Sequence, residues 1–172
     1  AQLSYMRMQC DAESNMRESP FYMIEDNSQA PFAMEGGIYA GTIGHIGVFS
    51  LNVHKHIQCG EGGVCVTNDD GLAHAMRLFI NHGELAGGPV GLNLRMNEVS
   101  AAIAYAQLVR GQRLVEQRVE IAEAILDAIG DIPGIRKPVV RPGCKHVYYT
   151  IPFLIEDRRA EFVNALAGEG VP

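Results

Sequence analysis

Five short stretches of the chain hold side chains able to do chemistry together. They are Glu25-Asp26-Asn27-Ser28-Gln29, Phe49-Ser50 with Lys55 five residues after the serine, Gly60-Glu61-Gly62-Gly63, Asn81-His82-Gly83, and Asn93-Leu94-Arg95-Met96. Each has an ordinary reading when taken singly. A carboxylate after a strand serves as a turn or cap residue. A lone lysine is a solvated surface cation. The glycine-rich turn is a hairpin, and Asn93 a loop residue.

Chemistry links the stretches. A carboxylate at the C-terminal edge of a strand lies where open α/β sheets bind ligands. Pyridoxal phosphate needs such a group to keep its pyridine nitrogen protonated, so that the ring can act as an electron sink. It also needs a lysine amine for a Schiff base, and hydroxyl or amide donors for its phosphate. Asp26, Lys55 and Ser50 supply these types within a compact span. A competing reading uses His54, His56 and Cys59, whose H-x-H-x-x-C spacing could present three metal ligands. It lacks a fourth ligand and a paired CxxC.

The elements that must position these groups follow from patterning. Phe21-Tyr22-Met23-Ile24 is an apolar run that predicts a buried strand with Glu25-Asp26 at its C-terminal end. Glycines 36, 37, 41, 44 and 47 predict tight turns or a hairpin. Residues 46–51 and 64–67 read as strands. Asn68 or Asp69 caps a helix with Leu72, Met76 and Phe79 on its apolar face. Asn97 caps a second, whose alanines 101, 102, 104 and 106 predict close packing. A third, over residues 112–129, carries the stripe Val115, Val119, Ala122, Leu126 and Ile129. Residues 147–155 read as a strand and 158–167 as a helix. Strands alternating with helices predict an α/β fold.

Composition sets limits. The chain has 172 residues, 47% of them apolar, and a formal net charge of -6. That is a globular balance. No Lys/Arg block stands out, so nucleic acid and anionic membrane are poor partners. No apolar run approaches the about 20 residues needed to span a bilayer. Cys10, Cys59, Cys65 and Cys144 are scattered, which reads as reduced thiols in a cytoplasmic protein. The chain opens at Ala1 and ends at Gly170-Val171-Pro172 just after a helical pattern, so an internal fragment of a longer protein is expected.

The order and spacing of the motifs resemble the DegT/DnrJ/StrS sugar aminotransferases. The likeness runs through residues 24–29, 44–50, Lys55, 60–63, Asn81-His82-Gly83 and 91–96, and covers about residues 10–172. It implies the aspartate-aminotransferase fold, fold type I, with a large domain on a mostly parallel sheet and a small C-terminal domain. Residues 1–111 are then the C-terminal part of the large domain. Residues 112–172 are the connecting helix and the truncated start of the small one.

By the same resemblance, Asp26 pairs with the pyridine nitrogen and Gln29 contacts the ring hydroxyl side. Ser50 binds the phosphate and Lys55 forms the covalent bond to the cofactor. Asn93 reaches the cofactor phosphate of the neighbouring subunit, so a homodimer is expected. The implied reaction moves an amino group from glutamate or glutamine to a keto sugar, usually nucleotide-linked. The 172 residues alone are expected to be inactive. Some relatives carry histidine in place of the lysine and are dehydratases, and His54 and His56 flank Lys55. Lys55 nevertheless lies 29 positions after Asp26 (55 − 26), the family spacing for the cofactor lysine. Three positions depart from the pattern. His45 stands where aspartate is common, Ser28 where alanine is usual, and Cys59 where threonine is frequent. None is expected to touch the cofactor set.

Overall fold

A computed structural model describes residues 21–83, 88 and 90–171. Cys10 and the start of the family likeness fall outside them. The chain runs through β1 (Ile24–Asp26), β2 (Met34–Glu35), β3 (Ile38–Tyr39), β4 (Ile46–Ser50) and β5 (Gly63–Val66). Three helices follow: α1 (Asp70–Ile80), α2 (Glu98–Val109) and α3 (Gly111–Ile129). The chain closes with β6 (Ile135–Arg136), β7 (Cys144–Lys145), β8 (Leu154–Ile155) and α4 (Arg159–Gly168).

β4 is the centre of the sheet that matters. It pairs with β1 in parallel, Asp26 facing Val48, and with β5 antiparallel, Ser50 facing Gly63. The C-terminal ends of β1 and β4 therefore open on the same edge. Antiparallel β2 and β3 form a hairpin on Gly36-Gly37, both with positive φ (58° and 82°), the pairing a two-residue turn of this hand requires. β7 adds to the other side of β2, with Glu35 facing Cys144.

The expected strand over residues 21–24 shifts toward its carboxylates, and it is not buried. Phe21, Tyr22 and Ile24 are 67%, 72% and 63% exposed. Among the described residues β1 has a strand partner on one side only. The expected strand over 147–155 also shrinks, to β8. Tyr148 adopts a left-handed backbone (φ 46°), and Pro152 lacks the N–H a ladder needs.

α1 and α2 form as their caps dictate. Asp69 accepts from the amide of Leu72 at 2.8 Å, and Asn97 from that of Ser100 at 2.9 Å. The stripe of α3 is the spine of the core. Val115 packs with Ala30, Ala33, Ala40 and Val147, while Ala122 and Leu126 pack with Tyr148. Val119 and Ile129 flank these clusters. α1 and α2 contain no buried residue. The close packing expected of the α2 alanines is limited: Ala104 meets the cluster of Leu51, Ile57 and Cys59, while Ala102 and Ala106 are exposed. No described helix is long and apolar enough to cross a membrane.

Candidate active site

The parallel pair β1–β4 delivers Asp26 and Ser50 to one sheet edge. Asp26 is exposed, and one of its carboxylate oxygens is held by Ser28, which donates from both its amide (3.0 Å) and its hydroxyl. These two bonds hold the Asp26 carboxyl below the usual aspartate range, and the Lys55 charge adds to the effect. Ser28 therefore does touch the cofactor set, contrary to the expectation from its departure position. The hydroxyl at position 28 adds a donor to the Asp26 carboxylate.

The residue before Asp26 builds the wall behind it. The Glu25 carboxylate accepts from the amides of Gly41 and Ile43 (both 2.8 Å) and Gly44. Gly41 and Gly47 approach so closely that a Cβ on Gly47 would overlap the Gly41 carbonyl. Asn27, fully buried, donates its backbone amide to the Val48 carbonyl at 2.8 Å and so continues the β1–β4 ladder.

Lys55 sits on a turn that Asn52 organises. The Asn52 carbonyl accepts from the Lys55 amide (2.9 Å), and its side chain accepts from the His54 amide (3.1 Å) and donates to Glu61 (2.7 Å). Ser50 Oγ accepts from the Asn52 amide at 3.3 Å, a bond that uses a lone pair and leaves its proton available. The Gly60–Gly63 turn of the sequence backs the loop: the amides of Leu51 and Val53 donate to the carbonyls of Gly62 and Gly60. Lys55 is half-buried, with Nζ 4.8 Å from the centre of the Tyr149 ring.

Lys55 and Asp26 thus share one electrostatic neighbourhood, with Ser50 on the strand that leads to the lysine turn. Gln29 and Asn93 are both exposed, and no described contact brings either to Lys55. Asn93 lies in a single antiparallel bridge with Asn81, whose side chain accepts from Arg95 at 2.6 Å. Sequence reasoning missed Asn52 and Tyr149 and gave no role to Glu25 or Ser28.

The three candidate metal ligands go to different environments. His54 is exposed. His56 is buried and donates from Nε2 to the Val147 carbonyl at 2.8 Å, and burial pushes its pKa below the usual histidine value. Cys59 is buried, with Sγ 3.5 Å from the Glu61 carbonyl. Among the described residues no three His, Cys, Asp or Glu side chains gather to hold a metal ion.

A family description, the DegT/DnrJ/EryC1/StrS aminotransferase family, matches residues 13–172. The chain belongs to that family. A relative from Micromonospora megalomicea subsp. nigra, a dTDP-3-amino-3,4,6-trideoxy-alpha-D-glucose transaminase, is 33% identical over 84% of this chain and 40% of its own. Solved structures agree. S. venezuelae DesV in complex with ketimine intermediate superposes with a TM-score of 0.82 at 29% identity, over 87% of this chain and 41% of that one. E. coli GDP-4-keto-6-deoxy-D-mannose-3-dehydratase with bound hydrated PLP gives 0.80 at 25% identity, over 90% and 46%. The fold is therefore part of a fold type I PLP-dependent transferase. The chain spans less than half the length of these relatives.

Proposed function

We propose that the intact protein is a pyridoxal-phosphate-dependent aminotransferase that moves an amino group from glutamate or glutamine to a keto sugar carried on a nucleotide. The observation that carries this is the delivery of Asp26 and Ser50 to one sheet edge by the parallel β1–β4 pair, with the Lys55 turn following directly on β4, in a chain of this family. The donor set fits the cofactor: a carboxylate held in its charged form, a lysine within reach of its field, and a serine hydroxyl with its proton available. When bound, pyridoxal phosphate supplies a ring that withdraws electrons from the substrate α-carbon.

The chain's residues supply the rest. Lys55 Nζ is the covalent attachment point. Once free, the same amine would take the proton from the substrate α-carbon and hold it for return in the second half of the transfer. Asp26 keeps a proton on the ring nitrogen by presenting a fixed negative charge. Ser50 donates to the phosphate and Gln29 to the ring hydroxyl side. Asn93 serves the phosphate of a neighbouring subunit in a homodimer. In this reading residues 1–111 belong to the large domain and residues 112–172 open the small one.

Amino transfer is favoured over dehydration because the cofactor position holds a lysine, Lys55. The deciding experiment is borohydride reduction of the cofactor-loaded intact protein, followed by peptide mapping. The expected label is on Lys55. Label on another lysine, or none, overturns the assignment.

A further inference from the structure

We infer that Tyr149 is a positioning residue for the Lys55 amine, an inference that rests on reading Lys55 as the cofactor-bearing lysine. Lys55 Nζ lies 4.8 Å from the Tyr149 ring centre, within the about 6 Å over which a ring face attracts an ammonium. A lysine side chain is long and freely rotating, and holding its end in one place costs side-chain entropy. A fixed aromatic face offsets that cost and restricts where the amine can be found.

The residue that carries the ring is itself held. The Tyr149 carbonyl accepts from Arg118 on α3 at 3.1 Å. The Tyr149 ring also lies 5.8 Å from that of His56, the residue after the lysine. His56 in turn donates to the Val147 carbonyl. Two consecutive residues of the lysine turn therefore meet two alternate residues of the segment 147–149. Between those two stands Tyr148, a buried non-glycine residue at φ 46°. A left-handed backbone at such a residue is unfavourable and persists only where its surroundings over-determine it. Here the surroundings are the Ala122–Leu126 cluster, the His146 ring at 4.4 Å, and a bond from the Tyr148 amide to His146 Nδ1 at 3.1 Å. The strained residue is clamped on α3 and the residues on both sides of it engage the lysine turn.

The test has two readouts on the intact protein. In the first, the cofactor-free protein is reductively methylated with isotope-labelled formaldehyde, and the Lys55 resonance is assigned by its loss in Lys55→Arg. A ring face beneath the amine shifts that resonance upfield. The shift should be present in the wild type, kept in Tyr149→Phe and lost in Tyr149→Leu. In the second, pyridoxal phosphate is added and borohydride quenches at timed intervals. Loading at Lys55 should slow about tenfold in Tyr149→Leu, as misplacement of a reacting group does, and stay near wild type in Tyr149→Phe. An unshifted resonance in the wild type, a shift that survives in Tyr149→Leu, or unchanged loading in that variant overturns the inference. If the leucine variant does not fold, the wild type and Tyr149→Phe decide: upfield resonances in both sustain it and a solvent-like one in either ends it. Absence of any label on Lys55 in the wild type defeats the functional reading instead, while the resonance still judges the ring contact.

Discussion

Ser28 donates twice to a single oxygen of Asp26, once from its backbone amide and once from its hydroxyl. The hydroxyl bond is the largest of the influences that hold the Asp26 carboxyl below its usual value. The other oxygen takes no hydrogen bond from the described residues, and under the proposed function it would be the one to face a protonated ring nitrogen. Ser28→Ala should therefore raise the Asp26 pKa toward the ordinary aspartate value without abolishing the backbone bond. NMR titration of the Asp26 carboxyl in the intact, cofactor-free protein checks this. An unmoved titration would show that the hydroxyl does not set the charge.

Lys55→Ala should abolish turnover in the intact protein, and Asp26→Asn should lower kcat by about a hundredfold or more, the scale of losing a preorganised electrostatic partner. Steady-state kinetics with glutamate and a nucleotide-linked keto sugar should be ping-pong. Near-normal turnover in Lys55→Ala refutes its role. The 172 residues expressed alone and mixed with pyridoxal phosphate should give no stoichiometric cofactor absorbance band.

The Glu25 carboxylate offers three amides a charged acceptor across residues 41–44. Glu25→Ala should destabilise the protein by about 2 kcal/mol or more, since bonds to a charged group exceed neutral ones and their partners would be left unpaired. Gly47→Ala should be worse, because its Cβ would meet the Gly41 carbonyl, a backbone atom that cannot swing aside. Denaturant unfolding measures both. Wild-type midpoints in Gly47→Ala would show that the two chains part easily.

His56 and His146 are both held below their usual pKa of 6.5, chiefly by burial. Between that value and the lower folded ones, the unfolded chain binds protons that the folded chain does not. Stability should therefore fall as pH drops through 6.5, and be fully present above it. His56→Gln keeps a donor for the Val147 carbonyl and removes one of the two titrations. It should flatten the loss of stability on acidification. Equal slopes in the two proteins would exclude His56 as a contributor.

The parts of this fold that could be read from the sequence are those set by neighbours along the chain. The α3 stripe was legible because its apolar residues recur at helical spacing with charges opposite. Asp69 and Asn97 were legible as caps because a cap acts three residues ahead. The glycine pair 36–37 announced a hairpin. The order of Asp26, Ser50 and Lys55 was legible because all three lie on or just beyond two neighbouring strands. Glu25 was not, since its amide partners lie 16 to 19 residues away on a glycine-rich loop whose turns do not tell which carboxylate they will face. Residues 147–155 were misread for a related reason. Val147, Tyr148, Tyr149 and Thr150 all favour strands, but tertiary packing turns Tyr148 left-handed and ends the ladder before it starts. Nothing local tells Tyr149 that it will meet a lysine so far back in the chain.

The bond from His56 to the Val147 carbonyl spans 91 positions. At a synthesis rate of about 5–20 residues per second, the lysine turn is made about 5–20 s before Val147. During that interval the turn has Asn52 and the 60–63 hairpin to hold it, but neither the carbonyl nor the ring that later pin it. The final placement of Lys55 is thus a late event in biogenesis. A nascent chain stalled before residue 147 should carry a shaped turn and a lysine still at liberty.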